Sequence, residues 1–81
     1  MNLEEHLAKV IGSCVASTLS IAESDVDPLI ALSEMGMDSV MTVTFRTQLQ
    51  QALKVKVGPT LIWKCPTVDH LIKHFLQELQ K

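Results

Sequence analysis

The chain has 81 residues, of which 47% are hydrophobic and 20% are charged, and its formal net charge is −2 at pH 7. A chain of this length forms one domain, here residues 1–81, and buries one small core. The composition is too apolar for a disordered segment, and the slightly acidic charge offers no basic surface for nucleic acid.

The expected compartment follows from hydropathy and cysteine content. No apolar run approaches the roughly 18 residues of a membrane span, and the first residues do not look like a signal peptide. The two cysteines, Cys14 and Cys65, fit a reducing compartment, where we expect two free thiols rather than a disulfide. We therefore expect a cytoplasmic protein that has no membrane partner.

The first predicted element is a helix from about Leu3 to Thr18, in which apolar residues recur at three- and four-residue spacing. Asn2 is placed to cap it, with Glu5 as a capping-box partner. A long connection follows, from about Leu19 to Asp38, and a connection of this length is uncommon unless it is functional or anchored. We expect it to lie over the bundle, with one short turn of helix. Its predicted anchors are apolar: Ile21, Val26, Leu29, Ile30 and Leu32.

The second main helix is predicted from Ser39 to about Leu53. Its β-branched residues would also suit a strand over residues 40–45, but a cap at Asp38 and good helix formers from Gln48 onward favour a helix. The predicted inner face consists of Val40, Val43, Leu49 and Leu53, with Phe45 or Thr44 at its edges.

The remaining chain predicts one short and one long helix after a break at Gly58-Pro59. The segment Thr60–Trp63 is predicted to be a helical turn that closes one end of the core, with Trp63 buried. The last helix is expected to use Thr67 as its N-cap and Asp69 in its first turn. The predicted fold class is all-α: a bundle of three main helices plus one short helix, with a long loop between helices one and two.

The most informative residue is Ser39, which follows a glycine turn at Gly36 and the acidic cap Asp38. This arrangement presents a hydroxyl at a helix N-terminus, whose partial positive charge favours a phosphodiester. A catalytic serine would instead need an oriented base. No sequence context directs a histidine toward Ser39, and the nucleophile-elbow motif of hydrolases is absent, so we predict no catalytic residue. The histidines are His6, His70 and His74. By itself, an Asp-Ser pair could also be an ordinary helix start.

Several segments together resemble an acyl carrier protein, the phosphopantetheine-bearing domain of fatty acid and polyketide synthases. The similarity keeps the order and spacing of that family over the whole chain. Within the family, the amino-acid sequence is most similar to that of carrier domains of iterative type I polyketide synthases of the 6-methylsalicylic-acid-synthase type. The matching segments are Leu32–Val40, Val43, Arg46, Leu49, Pro59–Trp63 and Pro66–Leu71.

The resemblance implies that Ser39 carries 4′-phosphopantetheine, whose thiol holds acyl intermediates of secondary metabolism as thioesters. Asp38 belongs to the modification motif, while Met37 and Val40 stand where such families contact the arm and partner enzymes. The implied partners are a phosphopantetheinyl transferase and the ketosynthase, acyltransferase and modifying domains of the same synthase. The isolated domain is expected to be a non-catalytic monomer.

The charge of the second helix departs from that of free-standing carriers, which typically show an acidic second helix. From Ser39 to Val57 there is no Asp or Glu, and three cations, Arg46, Lys54 and Lys56, make this segment net +3. A tethered carrier has a high effective concentration and needs little charge steering. We therefore expect docking through Val40, Met41 and uncharged polar groups.

Three alternatives compete with this interpretation. A peptidyl carrier domain of non-ribosomal synthesis is disfavoured by Met37, where a second glycine is usual. A non-carrier helical interaction module would use Ser39 only as a helix start. An enzyme in its own right is disfavoured because no histidine has a sequence context that directs it toward Ser39. Apart from these alternatives, His70 and His74 have a helical spacing that suits zinc but lack a third ligand, so no metal is predicted.

Overall fold

The computed structural model describes residues 2–58 and 60–79. Over these residues the chain forms four α-helices and one short 3-10 helix, with no strand. The α-helices are α1 (Leu3–Leu19), α2 (Ser39–Leu53), α3 (Leu61–Lys64) and α4 (Val68–Leu79), and the 3-10 helix spans Glu23–Asp25. The predicted all-α class, the three main helices and the short one are confirmed. The predicted break at Pro59 and the ends of the domain at residues 1, 80 and 81 lie outside the described residues.

Helix α1 is the centre of the bundle, because it packs against both α2 and α4 and also contacts the 3-10 helix. The core is made of aliphatic side chains with one phenylalanine from α2 and one from α4. Its fully or nearly fully buried members include Leu7, Ile11, Val15, Leu32, Phe45, Leu49, Leu71 and Phe75. Among the described helices, none has the length and apolar character needed to cross a membrane.

Polar side chains fix the starts of the long helices, as the sequence predicts. Asn2 Oδ1 accepts a hydrogen bond from the Glu5 N–H at 2.8 Å, which confirms the cap of α1. At α4, Thr67 Oγ1 accepts from the His70 N–H at 3.1 Å. Each bond satisfies a backbone donor that has no partner inside the helix.

The long connection is anchored mainly through its backbone. The Leu32 N–H donates to the Pro66 carbonyl at 2.8 Å, and the Asp69 N–H donates to the Pro28 carbonyl at 3.0 Å. The side chain of Leu32 is buried and that of Val26 is partly buried, as predicted. The predicted anchoring by the other three residues is wrong, since their side chains are exposed: Ile21, Leu29 and Ile30.

The inner face of α2 differs from the predicted one. Phe45 and Leu49 are fully buried, whereas Val40 and Val43 are 74% and 53% exposed. Residues 45 and 49 are one turn apart and share a face, while positions 40 and 43 lie on another side of the helix. The bundle buries the face that carries the larger side chain, Phe45, because this removes more apolar surface from water.

The predicted burial of Trp63 is also wrong. Leu61 and Ile62 are each 8% exposed, but Trp63 is 75% exposed. Helix α3 is a single turn of four residues, so its side chains point in different directions around the axis and they do not all reach the core.

Candidate functional site

The segment before α2 is a tight turn that fixes where the helix begins. The Leu32 carbonyl accepts from the Met35 and Met37 N–H groups, both at 3.1 Å, and the Gly36 N–H donates to the Ser33 carbonyl at 3.2 Å. Gly36 has φ of +102°, a conformation that residues with a Cβ rarely adopt. The turn places Met37 in the core with 6% of its surface exposed, and α2 starts two residues later.

Asp38 is the N-cap of α2, as predicted. Its Oδ1 accepts from the Met41 N–H at 2.8 Å. Its backbone carbonyl accepts both the Thr42 N–H at 2.9 Å and the Thr42 hydroxyl at 2.8 Å. These three bonds stabilise the first turn of the helix, and the bond to Oδ1 shows that the carboxylate of Asp38 has a structural role as the cap.

Ser39 is the first residue of α2 and its side chain is exposed. Its hydroxyl has no hydrogen-bond partner within the part of the chain that the structure describes. Two of the three histidines engage other groups: His70 Nδ1 lies 2.6 Å from Thr67 Oγ1, and the His74 ring packs edge-on against Phe75. The described structure therefore shows a hydroxyl that is fixed in place by its helix and open to a second molecule.

The donors around Ser39 suit a phosphate ester. The first N–H groups of a helix have no intrahelical partner, and of these the Met41 N–H is taken by Asp38. The N–H groups of Ser39 and Val40 remain available beside the hydroxyl, at the positive end of the helix dipole. No acidic residue lies in the first turn of α2 itself. A phosphodiester on Ser39 Oγ thus finds backbone donors within the same turn.

A cleft of about 230 Å³ opens directly beside Ser39, between the start of α2 and α3. Its lining comes from three stretches of the chain: Leu32, Ser33, Met37, Asp38, Ser39, Thr42, Ile62, Trp63 and Pro66. The roles of Ser33, Thr42 and Trp63 in this cleft were missed by sequence reasoning. The signal that could have indicated Trp63 is the shortness of the segment between Gly58 and Pro66, which leaves room for only one helical turn.

The residues predicted to contact partners occupy three different environments. Val40 is exposed, Met41 is partly buried against the core, and Met37 is buried and lines the cleft. Met37 is predicted to contact both the arm and partner enzymes. Its place in the lining of the cleft is compatible with a contact to the arm, but so little of its side chain is exposed that it offers little surface to a partner protein. The roles of all three stay predictions.

Comparison with known proteins gives a consistent answer. The chain matches the family described as "Phosphopantetheine attachment site" over residues 9–75. It is 68% identical over 77 residues to a 6-methylsalicylic acid synthase of Aspergillus niger and 58% identical over 79 residues to one of Penicillium terrestre. These matches cover 95% and 98% of the chain. A protein named Cluster 41 polyketide synthase, from Aspergillus flavus, is 40% identical over 91% of the chain.

The chain spans only 4% of the length of the first two relatives and 7% of the third. Among solved structures, a free-standing peptidyl carrier protein from Acinetobacter baumannii superposes with a TM-score of 0.88 at 25% sequence identity, covering 96% of this chain and 99% of that one. The match over residues 9–75, together with this shared fold, shows that the chain belongs to the phosphopantetheine-attachment family and is a carrier domain of the polyketide synthase type.

Proposed function

We propose that Ser39 Oγ is the atom to which 4′-phosphopantetheine is attached. The observation that carries this proposal is the position of Ser39: an exposed hydroxyl without a partner, on the first residue of a capped helix, inside the segment that matches the family. In the reaction, Ser39 Oγ forms a new bond to the pantetheine-bearing phosphorus of coenzyme A and loses its proton to a base of the transferase. The pyrophosphate P–O bond at that phosphorus breaks, and adenosine 3′,5′-bisphosphate leaves.

The chain's own residues contribute placement and electrostatics. Asp38 holds the first turn of α2, so the hydroxyl keeps a fixed direction toward the transferase. The N–H groups of Ser39 and Val40 stabilise the negative charge of the ester. When bound, phosphopantetheine supplies a terminal thiol that holds acyl groups as thioesters. We infer that the domain is not itself an enzyme, because the described side chains supply no base to Ser39.

The synthase that contains this domain is proposed to be of the 6-methylsalicylic acid type. The support is the 68% identity to the Aspergillus niger synthase, against 25% to the peptidyl carrier of similar fold. On this proposal, the domain carries polyketide intermediates between ketosynthase, acyltransferase and modifying domains of the same protein, and acts in the cytoplasm. Two unpaired thiols, Cys14 and Cys65, suit that reducing compartment.

The proposed docking surface consists of Val40, Met41 and the uncharged polar groups beside them. Its support is the exposed side chain of Val40 at the rim of the site, in a segment without acidic residues. A carrier that is tethered to its enzymes meets them at high effective concentration, so weak apolar contacts are sufficient.

Charge insertion tests this surface. Met41→Glu and Val40→Glu should each slow acyl transfer from the loaded carrier to partner domains, while Gln51→Glu, which places the same charge on the last turn of α2, should not. The Val40 variant is included because the side chain of Val40 is exposed, so that its replacement should not disturb the fold. Unchanged transfer rates in both variants would refute this docking surface.

The attachment site is tested by intact-protein mass after incubation with coenzyme A and a broad-specificity phosphopantetheinyl transferase. Wild type should gain the mass of one phosphopantetheine group and Ser39→Ala should gain none. Ser33→Ala is the matched control, since Ser33 is exposed and lines the same cleft, and it should be loaded like wild type. Loading of Ser39→Ala, or no loading of a folded wild type, would contradict the proposal.

A further inference from the structure

The cleft beside Ser39 has an apolar floor and one large apolar wall. Its floor is formed by core residues, Leu32, Met37 and Ile62, which are 1%, 6% and 8% exposed. Its wall is the side chain of Trp63, which is 75% exposed although Leu61 and Ile62 before it are buried. The exposed indole of Trp63 leaves a large apolar surface in contact with water. A ligand that covered this surface would gain the free energy of its burial.

The size and position of the cleft decide what it can hold. Pockets that enclose a drug-sized ligand measure roughly 300–1,000 Å³, so a volume of about 230 Å³ fits only a fragment. Ser39 itself lines the cleft, and the segment of the arm next to the phosphate is therefore the part that reaches it without folding back. The acyl cargo is attached to the opposite end of the arm.

We propose that this cleft binds the pantoyl segment of the phosphopantetheine arm, with the Trp63 indole against its geminal methyl groups. This inference rests on the attachment at Ser39 proposed above. The methyl groups match the apolar floor and wall. The polar groups of the segment, a hydroxyl and an amide, meet the hydroxyls of Thr42 and Ser33 on the lining. The Thr42 hydroxyl already donates its proton to the Asp38 carbonyl, so it faces the arm as an acceptor.

The consequence is a positioning role for Trp63. The near half of the arm lies along the domain, between α2 and α3, while the far half with its thiol and cargo stays in solvent. A contact of this kind narrows the directions in which the arm leaves Ser39 and lowers the entropy that a partner enzyme must remove when it binds the arm.

Trp63 is the only tryptophan in the chain, which makes its fluorescence a direct probe of this contact. Loading with unacylated phosphopantetheine should shift the emission of Trp63 to shorter wavelength and reduce its quenching by acrylamide. Ser39→Ala treated in the same way should show neither change. Unchanged emission and quenching in a sample that intact mass shows to be fully loaded would overturn the cleft proposal and leave the attachment at Ser39 intact.

Nuclear magnetic resonance of the arm provides the second readout. In loaded wild type, the geminal methyl protons should be shifted upfield by the indole ring and show cross-relaxation with it. In a sample that intact mass shows to be fully loaded, Trp63→Ala should lose both signals. Leu29→Ala is the matched control, because Leu29 is also 75% exposed but does not line the cleft, and it should retain both. Methyl signals that are the same in Trp63→Ala and in wild type would refute the contact and assign the exposed Trp63 to partner docking.

Discussion

The buried face of α2 and its exposed first turn belong to one helix but have opposite properties. Phe45 and Leu49 are completely enclosed by the bundle. Ser39 and Val40, six and five residues before Phe45, are exposed, and Trp63 across the cleft is exposed as well. The same helix thus supplies a large part of the core and carries the candidate attachment site.

The difference teaches that stability and function depend on separate residues of this domain. A side chain without solvent contact offers nothing to another enzyme, but its removal leaves a cavity. An exposed side chain at the first turn contributes little to the core, but a partner can reach it. Mutations should therefore divide into two groups, and the following predictions test that division from the largest expected effect to the smallest.

The largest effect is expected from Phe45→Ala. Removal of a fully buried phenylalanine should lower the free energy of unfolding by about 3–5 kcal/mol, because it loses apolar burial and leaves a cavity. Val43→Ala, on an exposed side of the same helix, should change it by no more than about 0.5 kcal/mol. Urea unfolding followed by circular dichroism compares the two. Similar losses in both variants would contradict the orientation of α2.

Gly36→Ala should have the next largest effect. The positive φ of Gly36 should make the variant about 1–2 kcal/mol less stable, although a Cβ would meet no atom within 4 Å. Gly12→Ala is the matched control in the interior of α1, where a Cβ also meets no atom. It should gain roughly 0.5–1 kcal/mol, because alanine is the better helix former. Thermal unfolding measures both, and a destabilised Gly12→Ala together with a neutral Gly36→Ala would argue against the turn.

The cap of α2 should contribute less. Asp38→Ala should cost about 1 kcal/mol, since the Met41 N–H loses its acceptor, while Asp38→Asn should retain most of the stability because asparagine is an equally good cap. Chemical denaturation of the three proteins gives the values. If Asp38→Asn were as unstable as Asp38→Ala, the contribution of Asp38 would come from its charge and not from the hydrogen bond.

The smallest effect concerns the two thiols. Burial raises the pKa of Cys14 above 9.0, and burial likewise raises the pKa of Cys65, with a smaller opposite effect of the neighbouring Lys64 cation. Because a raised pKa means less thiolate at a given pH, alkylation by iodoacetamide at pH 8 should be slower than that of a free thiol. Cys65, which is only partly buried, should react before Cys14.

The same shift predicts a pH dependence of stability. The folded protein holds these thiol protons more tightly than the unfolded chain, so the contribution to stability is fully present well below pH 9.0 and is lost as the pH rises above it.

The predicted order of alkylation is measured by mass spectrometry of the unloaded protein, which follows the labelling of each thiol. Faster labelling of Cys14 than of Cys65 in the native protein would contradict the packing of α1.

Much of the fold could be predicted from local signals in the sequence. The starts of α1 and α2 follow from the N-caps Asn2 and Asp38. Such a cap can be predicted locally, because it depends only on the capping side chain and on the first turn of the helix that follows it. The start of the last helix follows from its cap at Thr67 for the same reason. The position of Ser39 at the first turn of α2 therefore follows from the amino-acid sequence alone.

The errors concern choices that depend on distant parts of the chain. Val40 and Val43 form a plausible apolar face of α2, and only the position of α1 shows that Phe45 points inward. The cleft beside Ser39 combines residues from the loop, α2 and α3, so no single stretch of sequence indicates it. A lone tryptophan is usually buried, which favours a core position for Trp63, but its exposure depends on the direction in which a one-turn helix faces.

The most direct test of the account is to locate the modification in the unmutated chain. After loading from coenzyme A, the domain is digested and each serine-containing peptide is fragmented in the mass spectrometer. The account predicts one phosphopantetheine group, placed on Ser39, with Ser33 and the serines of α1 unmodified. A group found on any other residue would contradict the assignment of the first turn of α2 as the attachment site.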